Sequence, residues 1–195
     1  MKTDIILSGV GGQGILSIAT VIGEAALNEG LYIKQAEVHG MSQRGGDVQS
    51  NLRISSDPIH SDLIALGKAD IVISLEPMEA LRYVNYLAPT GWIITNTTPF
   101  VNIPNYPDQQ AIIDELKKFP NVVLLDVDKM AEELQSSRSA NIILLGAASP
   151  FLGIEMEKLE AGIRRIFGRK GEEIVETNLK ALRAGRAAAD EQKTK

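Results

Sequence analysis

A short apolar strand running straight into a loop of glycines constrains this chain more than any other feature. Ile5-Ile-Leu7 stops at Ser8, and the stretch Gly9-Val-Gly-Gly-Gln-Gly14 carries glycine at 9, 11, 12 and 14. An alanine-rich apolar segment, Ile15 to Leu27, follows without a break, so the order reads strand, tight turn, helix. Gly9, Gly11 and Gly14 have the spacing G-x-G-x-x-G, with Gly12 as an extra. Glycine tolerates positive φ and lets another group approach the backbone. A helix that opens there presents unpaired N–H groups and partial positive charge. Two uses stay open: an anion or nucleotide cradle, or glycines that only let a helix pack close to the sheet. A Walker-type phosphate loop is excluded, because Ile15 stands where its lysine would be.

The rest of the composition bounds the chemistry. At 195 residues, 44% hydrophobic and 23% charged, the chain can bury a substantial core. No linker or composition break marks a second unit, so residues 1–195 read as one domain, with 190–195 as a frayed polar tail. The net charge of -5 argues against nucleic acid as a partner. No apolar run reaches the roughly 18–20 residues of a membrane span, and Met-Lys-Thr-Asp does not open a signal peptide. The expectation is a cytoplasmic protein. There is no cysteine, hence no disulfide and no cysteine-ligated zinc or iron–sulfur cluster in this chain. His39 and His60 lack ligand spacing, and no metal site is expected.

Along the chain, Gly30 stops the first helix. Tyr32–Val38 and Asp47–Ile54 read as strands joined by the polar loop 39–46, with no helix between them. That predicts an antiparallel hairpin rather than a βαβ crossover, a departure from an ordinary dinucleotide-binding fold. Further strands are expected at Ala69–Leu75, Trp92–Asn96 and Asn121–Asp126, with a turn at Pro89-Thr-Gly91. Helices are expected at Ser61–Gly67, at Met78–Leu87 after Pro77, at Asp108–Phe119, and at Lys129–Gln135 capped by Asp128. Asn141–Ala148, Glu155–Phe167 and Glu172–Ala189 complete a helical C-terminus. The fold class is α/β: a three-layer α/β/α sandwich with a Rossmann-like mixed sheet and the antiparallel hairpin at one edge or projecting from it.

Ligands of open α/β sheets sit beyond the carboxyl ends of the strands. Those ends deliver Gly9–Gly14, His39–Gly46, Glu76, Asn96-Thr97 and Asp126. They contain no linked nucleophile, base and orienter, so no catalytic residue is nominated and the set resembles a binding surface. Ser42, Gln43, Arg44, Gly45 and Gly46 combine a guanidinium with free backbone N–H groups, suited to phosphate or carboxylate; a solvated hairpin tip is the alternative. Glu37 lies near the spacing of about 20 residues at which a dinucleotide fold holds its ribose acid, or is a solvated strand residue. His39 reads as structural and His60 has no role. Arg164, Arg165, Arg169, Lys170, Lys180, Arg183 and Arg186 read as a solvated helix face, with an acidic partner subunit or a phosphate-rich ligand as the other use.

Gly9-Val-Gly-Gly-Gln-Gly-Ile-Leu16 together with Glu37-Val-His-Gly-Met-Ser-Gln-Arg-Gly-Gly46 resembles the gamma-type domain of the 2-oxoacid:ferredoxin oxidoreductases. The likeness is strongest to its indolepyruvate-using members. It covers essentially the whole chain, including Asp70–Pro77, Asn96-Thr97 and Asn141–Ala147. The resemblance implies an oxygen-sensitive, thiamine-diphosphate-dependent oxidative decarboxylation of a 2-oxoacid, with coenzyme A as acyl acceptor and ferredoxin as electron acceptor, as in anaerobic metabolism. It implies a non-redox subunit, inactive alone, contacting coenzyme A through Gly11-Gly12-Gln13-Gly14 and Ser42–Gly46. Gly9, Asn96 and Thr97 complete the candidate cofactor-binding set. Thiamine diphosphate, magnesium and iron–sulfur clusters would belong to a larger, cysteine-rich alpha subunit, since this chain has no Gly-Asp-Gly with paired asparagines and no cysteine. The competing reading is a free-standing NAD(P)-binding module or dehydrogenase.

Overall fold

The computed structural model describes residues 1–40 and 45–193. The first apolar run forms β1 (Lys2–Val10), the glycine loop turns the chain, and α1 (Ile15–Asn28) starts at once. β2 (Tyr32–His39) and β3 (Asp47–Ser55) pair antiparallel, Tyr32 opposite Ser55 and His39 opposite Val48. β3 then pairs antiparallel with β1, Ile5 opposite Leu52 and Val10 opposite Asp47. β4 (Ala69–Ser74), β5 (Leu87–Asn96) and β6 (Val122–Leu125) add in parallel, giving the order β2-β3-β1-β4-β5-β6. The hairpin occupies one edge of a mixed sheet, as the missing helix between its strands requires.

Alternation along the strands decides the layers. Ile5, Leu7, Leu52, Ile54, Ile71 and Ile73 face the main core. There they meet α1, α5 (Ala140–Ala148), α6 (Met156–Phe167) and α7 (Glu172–Lys193). Ile6, Val72 and Ile93 point to the other face, covered by α2 (Pro77–Arg82), α3 (Gln109–Leu116) and the loop residue Ile64. α4 (Val127–Glu133) follows β6. The result is the three-layer α/β/α architecture expected from the sequence, with its helical C-terminus. α5 is buried from Ile142 to Ala148.

Five local expectations are corrected. Ser61–Gly67 is irregular, not helical, because β3 side chains take the backbone groups a helix would use. Arg53 donates to the Ser61 and Leu63 carbonyls, and Asn51 Oδ1 accepts the Ile64 N–H at 3.0 Å. The helix after Pro77 ends at Arg82, a single 3-10 turn follows, and Pro89-Thr-Gly91 lies inside β5. Pairing with β4 slips there between Ala69 and Ile71, a place where a proline's missing N–H is tolerated. Asp126, not Asp128, caps α4, accepting the Lys129 N–H at 2.9 Å. Finally, residues 190–193 of the expected tail continue α7. Gln192 anchors them: its side chain accepts the Leu124 N–H and donates to the Leu124 carbonyl, filling the open edge of β6.

Candidate functional site

The glycine loop is held in shape by its own glutamine. Gln13 Oε1 accepts the Val10 N–H at 2.8 Å and Nε2 donates to the Leu75 carbonyl at 3.1 Å, tying the end of β1 to that of β4. Asn96, only 2% exposed, makes the matching clasp one strand over. Its Nδ2 donates to Leu75, Thr98 and Asp128, and its Oδ1 accepts the Thr98 and Val127 N–H groups. The Asn96 amide is fully occupied by these bonds, while Gln13 uses one donor and one acceptor. Thr97 gives its N–H to the Leu125 carbonyl and accepts from Gln109.

The two glycine-bearing loops meet. Gly11 N–H donates to the Gly46 carbonyl at 2.8 Å, and Gly45 N–H donates to the Gly11 carbonyl at 3.2 Å. Asn102 Nδ2 donates to the Gly45 carbonyl from the segment before α3. Ser42, Gln43 and Arg44 lie outside the described residues.

The glycines then divide by role. A Cβ on Gly9 would strike Ile15 Cδ1 at 2.7 Å, and one on Gly14 would strike Asn141 Nδ2 at 2.7 Å, so both serve close packing. Gly12 has φ +105° and, among the described residues, nothing within 4 Å of its would-be Cβ. Among the described residues, the N–H groups of Gly12 and Gly14 have no hydrogen-bond partner, and no side chain caps α1. These groups border an open cleft of about 470 Å³, floored by Ile15 and Val48 and walled on β2 by Glu37 and His39. His39, read as structural from sequence, therefore reaches the cleft; its Nδ1 bonds the neighbouring Gly40 carbonyl at 2.9 Å. On the loop's other side a recess of about 350 Å³ lies between Gly12, Asn96, Asp128, Arg138 and Asn141. Arg138 has no ion-pair partner among the described residues, and Asn141 Nδ2 donates to the Gly14 carbonyl. Asn141 lies in the first turn of α5 and Arg138 two residues before that helix, both far away in sequence.

Beneath the hairpin lies a buried polar network that sequence reasoning missed. Glu76 caps α2 through the Glu79 N–H at 2.8 Å and accepts the Phe100 N–H and the Tyr106 hydroxyl. It ties the start of α2 to the segment before α3. Tyr83 donates to Asp47 Oδ2 at 2.7 Å. Glu79, 4% exposed, pairs with Arg82. Burial, then the adjacent Asp47 carboxylate, push Glu79 up to about 7 against the pull of Arg82. Burial and Asp47 also raise the Tyr83 hydroxyl.

Four of the seven basic residues near the C-terminus are engaged in internal pairs. Arg164 meets Glu172 and Glu176, Arg165 meets Glu24, Arg183 meets Glu160 and Arg186 meets Asp190. No helix among the described residues is long and apolar enough to cross a membrane.

Fold and site define a Rossmann-like α/β protein whose open cleft lies where two glycine loops are joined. The family described as Pyruvate ferredoxin/flavodoxin oxidoreductase matches residues 4–188, and the chain belongs to it. It is 37% identical over 194 residues to the indolepyruvate oxidoreductase subunit IorB of Archaeoglobus fulgidus, covering 95% of this chain and 94% of that one. Identity to the pyruvate/ketoisovalerate oxidoreductases common subunit gamma of Pyrococcus furiosus is 28% over 184 residues, covering 92% and 93%. Among solved structures, the 2-oxoglutarate:ferredoxin oxidoreductase of Magnetococcus marinus, determined with 2-oxoglutarate, coenzyme A and succinyl-CoA bound, shares the fold. The TM-score is 0.77 at 24% identity, over 97% of this chain and 31% of that chain.

Proposed function

We propose that this chain is the non-redox subunit of a ferredoxin oxidoreductase acting on indolepyruvate or another aryl pyruvate, and that it forms the coenzyme A side of the active site. Relatives named as subunits of 2-oxoacid oxidoreductases match it from end to end, which supports a role as one subunit of a complex. The higher identity to the indolepyruvate relative, 37% against 28%, supports the substrate class.

The open cleft at Gly12 and Gly14 carries the coenzyme A reading. Unbonded N–H groups at the start of an uncapped helix fit phosphate oxygens or amide carbonyls. The missing Cβ at Gly12 leaves room for a long ligand to lie against the backbone. Coenzyme A supplies the thiol that accepts the acyl group. The chain's own part is to hold and orient it: Gly11, Gly12 and Gly14 with Gly45 and Gly46 form and join the two loops, Ser42, Gln43 and Arg44 belong in sequence to the second, Gly9 and Gln13 hold the first in shape, and Asn96 and Thr97 complete the set at the end of β5. Thiamine diphosphate, magnesium and iron–sulfur clusters are assigned to a larger cysteine-rich alpha subunit that passes electrons to ferredoxin in the cytoplasm.

The test is an anaerobic assay of the complex reconstituted with that subunit. Gly12→Val is expected to raise KM for coenzyme A about tenfold, the loss of one or two hydrogen bonds of about 1 kcal/mol each, with KM for the 2-oxoacid unchanged. Equal effects on both would remove the coenzyme A assignment. Turnover of indolepyruvate by the isolated chain would overturn the subunit reading.

A further inference from the structure

We infer that Tyr83 and Glu79, through Asp47, are positioning residues that set the spacing of the two glycine loops. Asp47 is the first residue of β3 and follows Gly45 and Gly46 directly. It stands opposite Val10, the last residue of β1, so it sits at the root of both loops at once. Its carbonyl also accepts the Gly40 N–H at 3.2 Å, closing the base of the hairpin loop. The only hold on its side chain among the described residues comes from α2: the Tyr83 hydroxyl at 2.7 Å and the adjacent Glu79 carboxyl. α2 is itself fixed under β1, with Glu76 buried at its cap. A shift at Asp47 therefore moves Gly45 and Gly46, and with them the pair of bonds to Gly11 that joins the loops.

The network is proton-dependent. The groups that face Glu79 are Arg82 one turn on in α2, Asp47 on β3 and Tyr83; Glu76 and Tyr106 belong to the same cluster from the start of α2 and the segment before α3. Glu79 is paired with Arg82 and lies beside the Asp47 carboxyl, so a proton on Glu79 removes a repulsion and lets it donate to Asp47. An acid whose folded pKa is raised stabilises the folded arrangement while protonated. That contribution is complete below the ordinary value of 4.5, falls as pH rises to about 7 and is gone above that window.

Hydrogen exchange in the assembled complex tests the placement without any ligand, after correction for intrinsic amide rates. Protection at Gly11 and Gly45 is expected to fall roughly tenfold between pH 5.5 and 7.5, and Glu79→Gln should flatten that profile. Tyr83→Phe should lower protection at every pH and raise KM for coenzyme A severalfold, leaving KM for the 2-oxoacid unmoved. An unchanged exchange pattern in both variants overturns the inference, whatever the kinetics. The kinetic arm rests on the coenzyme A reading: changed exchange with unchanged KM for coenzyme A supports the positioning role and counts against that reading instead.

Discussion

At the crossing of α5 and α7, a Cβ on Gly185 would lie 1.8 Å from the Ile143 carbonyl oxygen, and one on Gly146 would lie 2.0 Å from that of Leu182. At the cleft, a Cβ on Gly12 would meet nothing within 4 Å. The same residue type does opposite work in the two places. In the core it removes volume so that two helix backbones can touch, and neither core glycine has a positive φ. At the cleft it supplies a left-handed backbone in open space. Gly14 stands between the two, with φ +85° and an Asn141 contact at 2.7 Å. Packing and availability are thus separable residue by residue, which a count of glycines conceals.

Breaking the comparison begins where the contact is closest. Gly185→Ala must push α7 off α5, and overpacking of this kind reaches about 3 kcal/mol. For a chain of this size that is a fall in Tm of roughly 6–12 °C, readable by thermal melting of the purified protein. A shift below 2 °C would show that the crossing is looser than described. Gly14→Ala comes next, at about 2 kcal/mol from the positive φ and the clash with Asn141. Pairing it with Asn141→Ala should return part of that loss, because the truncated side chain vacates the space the new methyl needs. Strict additivity of the two variants would deny the coupling.

These regions also differ in how far they could be read in advance. The glycine loop was legible because its signals are local: a strand, four glycines and a helix in sequence. The hairpin was legible because no helix stands between Val38 and Asp47. Gly146 and Gly185 were not, since each sits in an apolar or alanine-rich helix whose crossing partner is far away in the chain. Ser61–Gly67 looked helical by composition and lost that form to bonds from Arg53 and Asn51, a tertiary override of local preference. In the site, Gln13 and Asn96 were nominated as polar loop residues. Sequence does not distinguish an amide aimed at a ligand from one aimed at the Leu75 carbonyl, where both side chains converge. The Asp47–Glu79–Tyr83 network joins β3 to α2 and has no signature in either segment alone.

The smallest effect on stability is expected at Gly12, and it sharpens the contrast most. Gly12→Ala meets no atom, so its cost is only that of a non-glycine residue at φ +105°, about 1 kcal/mol. Denaturant unfolding of the single chain should therefore place it well below Gly185→Ala and below Gly14→Ala, with an unchanged m-value. If the loop is covered by a partner in the complex, the order inverts there: the added methyl then lies in an interface or against a ligand, and the variant weakens the assembly or its coenzyme A affinity while the free chain stays near wild type. A Gly12→Ala chain as damaged as Gly185→Ala, measured alone, would mean that Gly12 is packed like a core glycine, and the division between the two regions would fail.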